Sequence, residues 1–159
     1  MASDPFRESG SRVLAAEAFD DTLHTELKRA MRSQNFVTLV VLDTQREWEG
    51  LMLSADDGTV AELADIVRRE VRDTDVVGQS GTGLLSLLLI DADFEHSTRV
   101  VHRVMSRVDD YDFTRPLHIA VGAACYPTHA VDAGTLRRQA RARSIVNWRG
   151  GPDAREERN

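Results

Sequence analysis

Three short apolar runs punctuate the chain at residues 36–42, 84–90 and 117–125. Each is too short for a good helix, and the first is rich in β-branched residues, so each is expected to be a buried strand. Asp43 ends the first run, a glycine-bearing turn over 78–83 precedes the second, and Pro116 and Pro127 bracket the third. Between the runs the apolar residues change period. Phe19, Leu23, Leu27 and Met31 recur every four residues, predicting a helix over 14–34. Leu63, Ile66, Val67 and Val71 predict a helix over 59–72, and Phe94, Val100, Val101, Val104, Met105 and Val108 predict another. Leu136, Ala140 and Ile145 give a weaker stripe from Ala133 to about Asn147. A short strand at Asp75–Gly78 is expected to form a hairpin with 84–90. Residues 44–58 have no regular pattern, only an Asp56-Asp57-Gly58 turn.

Strands alternating with helices around a central hairpin give an α/β (α+β) split βαβ sandwich, with an antiparallel-rich sheet flanked by helices. At 159 residues there is room for one domain. The expected layout is a flexible leader over 1–13, the domain over 14–150 and a disordered charged tail over 151–159. Leu39, Val41, Leu85, Leu87, Leu89, Ile119 and Val121 are expected in the core.

Composition removes several function classes. The lone cysteine, Cys125, excludes an internal disulfide or a multi-cysteine metal site. The longest apolar run is far too short to cross a bilayer, so no membrane partner and a cytoplasmic location are expected. The net charge of −6 argues against a general nucleic-acid binder. Of the 20 basic residues all but Lys28 are arginine, which suits planar bidentate partners such as guanine edges and phosphates. The five histidines have no metal-ligand spacing, and Gly78, Gly81 and Gly83 lead into a strand rather than a helix N-terminus, so no metal or cofactor is expected.

Three stretches carry a family resemblance: Val37-Thr-Leu-Val-Val-Leu-Asp43, then Arg72-Asp-Thr-Asp-Val-Val-Gly-Gln-Ser-Gly-Thr-Gly-Leu-Leu85, then Ile119-Ala-Val-Gly-Ala-Ala-Cys-Tyr-Pro127. Together they resemble the GGDEF, or diguanylate cyclase-like, domain over roughly residues 23–150. The resemblance implies a nucleotidyl cyclase-like fold, a metal-binding aspartate at Asp43 and a signature hairpin at Gly81-Thr82-Gly83-Leu84-Leu85. That signature is degenerate. Its two acidic positions are Gly83 and Leu84, which offer no side-chain oxygen to a metal. The carboxylate that reads guanine in the family corresponds to Thr59, and its phosphate lysine is absent near Val146-Asn147-Trp148. A vestigial active site and no cyclase activity are therefore expected, because metal charge and electrostatic preorganisation carry such chemistry.

The Arg72-x-x-Asp75 motif survives at the family's separation from the hairpin. In the family this is an inhibitory site for cyclic di-GMP, and the resemblance adds Arg103 from the next long helix. Arg99 lies one turn before it, on the same helix face. Arginine can bond the O6 and N7 edge of guanine, and aspartate can accept from N1–H and the exocyclic amine. Arg72, Asp75, Arg99 and Arg103 are thus the candidate cyclic di-GMP ligands. The bland alternative is that Asp75 pairs with Arg72 in the turn ending the helix, while the α-helical arginines form a solvated face. Functionally the choice lies between a cyclic di-GMP receptor and a nucleotide-independent protein-interaction or dimerisation module, with a protein partner or homodimer expected in either case.

Overall fold

The computed structural model describes residues 13–152. In chain order the elements are β1 (Val13–Leu14), α1 (Ala16–Ser33), β2 (Val37–Trp48), β3 (Leu51–Ser54), α2 (Asp57–Glu70), β4 (Val76–Gly81), β5 (Leu84–Ile90), α3 (Phe94–Asp110), β6 (Leu117–Tyr126), α4 (Ala133–Ala142) and β7 (Ser144–Gly150). The strands form one seven-stranded sheet in the order β1-β4-β5-β2-β6-β7, with β3 extending it beside β2. All pairings are antiparallel except β1 with β4.

The apolar runs are continuous because the sheet is buried on both faces. Successive side chains of a strand alternate between faces. Val40 and Leu42 of β2, with Leu85, Leu87 and Leu89 of β5 and Ile119 and Val121 of β6, pack under α2 and α3. Leu39 and Val41 of β2, with Leu88 of β5, pack under α1 and α4 through Phe19, Leu23 and Leu136. All seven residues expected in the core are buried. Three helices begin in the same way: Asp56, Asp93 and Asp132 each accept the amide of the third residue on. The sheet lets α4 come close only because position 122 is glycine; a Cβ there would collide with the Ala140 carbonyl.

The structure departs from the sequence expectations in four places. The region 44–58 is not irregular. β2 runs on to Trp48, turns through Glu49 (φ 49°) and Gly50 (φ 79°), and returns as β3. Two consecutive left-handed residues make the tight turn that suits a two-residue hairpin. The last helix stops at Ala142, and Ser144–Gly150 is a strand pairing with β6, as the adjacent β-branched Ile145 and Val146 favour. The strand expected at 75–78 continues to Gly81. The expected leader ends sooner, because Val13 is buried and pairs with Val77. Residues 1–12 and 153–159 lie outside the described residues; Gly151, expected in the tail, is buried against Arg115 and Pro116.

Candidate functional site

The signature hairpin sits where expected, between β4 and β5, with Gly81 paired to Leu84 across Thr82-Gly83. Its tip is fastened to β2. The Gly83 carbonyl accepts from the Thr44 amide at 2.8 Å and from Thr44 Oγ1 at 2.7 Å. Gly83 has φ +71°, and a Cβ there would lie 2.8 Å from the Thr44 carbonyl oxygen and 3.1 Å from Ser54 Cβ. A side chain at position 83 would therefore be strained and would require the backbone of β2 to shift. Leu84 packs toward α1 and Leu85 is buried under α2 and α3. Asp43, half-buried at the end of the shared β2 ladder, faces two small clefts of about 120 and 200 Å³. No three His, Cys, Asp or Glu side chains converge among the described residues. Thr59 is buried in the first turn of α2, its amide bonded to Asp56 at 2.7 Å, and presents nothing to a base. That bond holds the Asp56 carboxyl below the ordinary carboxylate range.

Arg72 and Asp75 meet in the turn from α2 to β4. The Asp75 side chain is only 3% exposed, whereas that of Arg72 is 60% exposed. One Asp75 oxygen accepts the Arg72 amide at 3.0 Å. The other accepts the Ile90 amide at 3.1 Å and Arg72 Nη2 at 3.4 Å. Arg72 Nη2 also donates to the Ile90 carbonyl. The motif therefore ties the α2–β4 turn to the far end of β5, just ahead of α3. A buried carboxylate with these donors is satisfied by the fold itself. Asp75 is accordingly a structural organiser of the Arg72 turn before it is anything else.

The expected four-residue patch comes together only in part. Arg103 reaches back to α2, with Nη2 donating to the Glu70 carbonyl at 2.5 Å and Nε 3.2 Å from the Glu70 carboxylate. Arg107 bonds the same carboxylate at 3.0 Å. Arg103 is thus held at Glu70, two residues before Arg72. Arg99 instead pairs with Glu95 on its own helix at 2.8 Å. Beside Arg72 lies a cavity of about 500 Å³ between α1, β1, β4 and the end of α2, lined by Leu14, Thr22, Arg68, Arg72 and Asp75. Neither Arg99 nor Arg103 lines it. Arg68 was missed from sequence: it lies in the last turn of α2, whereas Arg72 stands beyond the extended C-cap Val71, so no helical spacing links the two. A second cavity of about 300 Å³ over the α1/α4 face carries Arg137 and Arg141 above Leu39 and Val41. Arg137 is already paired with Asp20.

Among the described residues no helix is long and apolar enough to cross a membrane. No protein-family model matches the sequence, and no curated protein is significantly similar to it. Solved structures do match. The GGDEF-only form of YfiN (TpbB) from Pseudomonas aeruginosa is 20% identical, with 81% of this chain and 80% of that chain covered and a TM-score of 0.68. A diguanylate cyclase protein from Thermotoga maritima is 16% identical over 84% of this chain and 96% of that one, with a TM-score of 0.70. The GGDEF domain of DgcB from Caulobacter crescentus, solved in complex with c-di-GMP, is 14% identical over 89% and 86%, with a TM-score of 0.69. At these identities the likeness is one of architecture, and the chain has the GGDEF-domain fold.

Proposed function

We propose that this chain is a non-catalytic GGDEF-like domain that binds cyclic di-GMP beside Arg72. The observation that carries the reading is the cavity of about 500 Å³ at the Arg72 turn, with a second arginine, Arg68, on its wall. Its size falls within the range of about 300–1,000 Å³ usual for small-ligand sites. Arg72 is tied down through Nη2 alone; its Nε and Nη1 donate to nothing among the described residues. A planar pair of donors on a positioned side chain suits a guanine edge or a phosphate. That a structure of a DgcB domain of the same fold holds c-di-GMP is in keeping with this choice of ligand. The absence of catalysis is inferred from the hairpin, where residues 83 and 84 carry no carboxylate, Gly83 is packed against Thr44 and Leu84 turns toward α1.

Calorimetry with cyclic di-GMP, with GTP and Mg²⁺ as the comparison, tests the reading. Saturable heat with cyclic di-GMP that Arg72→Ala weakens at least tenfold is expected. No heat and no melting shift up to high micromolar ligand overturns it. A second reading, a nucleotide-independent interaction module, is favoured by one observation: both Asp75 oxygens are already occupied by internal donors.

A further inference from the structure

β5 is apolar at every position but one. Ser86 interrupts the run Leu84–Ile90 and is 1% exposed. A hydroxyl taken out of water needs a partner. Its partner stands at an irregularity of the sheet. The register of β4 against β5 slips at Ser80, which has no counterpart across the ladder, and Ser86 Oγ donates to Ser80 Oγ at 2.6 Å. Such a slip re-aims the side chain it leaves over. Between them the two hydroxyls make one bond and hold two protons, so one proton remains to be donated.

Both serines line the cavity of about 300 Å³ beneath α1 and α4. Val41 lies across the ladder from Ser86 and therefore on the same face of the sheet. With Leu39, Phe19 and Leu84 it gives the cavity an apolar floor. The α4 wall is cationic. Arg137 and Arg141 stand one turn apart on one side of that helix. Asp20 of α1 compensates Arg137. Arg141 has no hydrogen bond or ion pair with any described residue, and Asp43, in the adjoining cleft that Arg141 also borders, forms none with it. Nor does α4 or β7 supply a counter-charge, because residues 133–150 hold five arginines and no acid.

We propose that this cavity binds a small monocarboxylate with a compact apolar body, its head group on Arg141 and its body on the Phe19, Leu39 and Val41 floor. The charge selects the head group. One uncompensated guanidinium matches one carboxylate, a planar pair that forms two parallel hydrogen bonds. A phosphate dianion would meet a second arginine that is already paired and would leave the floor uncovered. The volume selects the body. At about 30 Å³ for each water in the liquid, the cavity has room for roughly ten non-hydrogen atoms, the size of a medium-chain or aryl carboxylate. A cyclic dinucleotide is several times too large. No residue lining this cavity lines the one beside Arg72, so the two ligands would occupy separate places.

Octanoate is the probe, read by the backbone amide resonances of the isotope-labelled full chain. It is expected to shift the Ser80, Leu84 and Ser86 amides saturably, with a dissociation constant in the high micromolar range usual for a ligand of this size. Octanol, which has the same body and no charge, should bind at least tenfold more weakly. Inorganic phosphate should leave these amides unmoved. Arg141→Ala should weaken octanoate at least tenfold with the melting temperature of the unliganded chain unchanged, since Arg141 is exposed and bonded to nothing described. Ala16→Trp, at an exposed position on the rim, should block the cavity to a similar degree. Four results would each overturn the assignment: no saturable shift at these amides up to several millimolar octanoate, octanol binding as tightly as octanoate, phosphate moving the same amides, or an affinity indifferent to Arg141→Ala or Ala16→Trp.

Discussion

Replacing Gly83 separates two physical costs that the hairpin imposes on any side chain. At φ +71° a non-glycine residue costs about 1–2 kcal/mol from its Cβ and carbonyl alone. The Cβ would also press on the Thr44 carbonyl at 2.8 Å and on Ser54 Cβ at 3.1 Å. Both neighbours are held, one in β2 and one in β3, so relief means shifting backbone, an overpacking cost of about 1–3 kcal/mol. Gly83→Ala should thus cost about 2–5 kcal/mol and lower the melting temperature by roughly 5–15 °C in a domain of this size. Gly50 provides the control. Its φ is +79° and nothing lies within 4 Å of the Cβ it would carry. Gly50→Ala therefore pays the conformational cost alone, about 1–2 kcal/mol. Urea titrations of both variants at one low protein concentration measure the difference. Equal destabilisation would show that the Thr44 contact imposes nothing on a side chain at this position.

Four further outcomes are expected. Gly83→Glu, which restores an acid to the signature, should yield no diguanylate from GTP with Mg²⁺ or Mn²⁺, and neither should the unmodified chain; product above a no-protein control that Asp43→Ala abolishes would refute this. Asp75→Ala leaves the Ile90 and Arg72 amides without their acceptor and should cost about 2–4 kcal/mol in urea unfolding; a loss under half a kcal/mol would refute the staple. Arg72→Ala should weaken cyclic di-GMP at least tenfold, while Arg99→Ala, whose side chain is paired within α3, should change affinity less than twofold by calorimetry. Burial pushes the His129 imidazole below its ordinary value of 6.5, and Nδ1 accepts the Cys125 amide at 2.9 Å. The unfolded chain then binds this proton more readily than the folded one, so stability is lost as pH falls below about 6.5. His129→Gln should flatten the dependence of urea midpoint on pH between 7 and 5.5, and an unchanged slope would exclude His129 as its source.

Much of the architecture was legible because the chain's apolar runs and stripes have the right periods. The strands at 84–90 and 117–125 and the first three helices were all visible as such. Two elements were hidden for identifiable reasons. The β2–β3 hairpin turns on Glu49-Gly50, whereas the usual signal for two left-handed residues is Asn-Gly or Asp-Gly. Its strands are also exposed at the tip, so no buried period marks them. The strand β7 was read as a continuation of α4 because Leu136, Ala140 and Ile145 form a loose apolar series, although at about 100° per residue Ile145 falls on the opposite side of a helix from Leu136, and Ile145 and Val146 are a poor helix end and a good strand. At the site, Arg72 and Asp75 were found by motif, but the partners that decide their roles were not. Ile90 lies 15 residues beyond Asp75 and donates only a backbone amide, which no pattern of side chains can reveal.

That backbone contact changes how the motif can work. A carboxylate meant to read guanine must have acceptor capacity facing the ligand, and Asp75 is 97% withdrawn from solvent with each oxygen already accepting. Its removal would cost the fold before it cost any ligand. Arg72 is in the opposite position. Its backbone is fixed by Asp75, its Nη2 is fixed by the Ile90 carbonyl and Asp75, and the remaining edge of the fork is exposed. Much of the side-chain entropy that an arginine of this length loses on binding is therefore lost at folding instead, and a planar ligand meets a partly preorganised donor pair. Under the proposed function, recognition would fall to Arg72 and to Arg68 on the cavity wall, with Asp75 positioning Arg72. The hairpin is under no such demand. With Gly83 packed on Thr44, the 81–84 hairpin is fastened to β2, at the other end of β4 from the Arg72 turn.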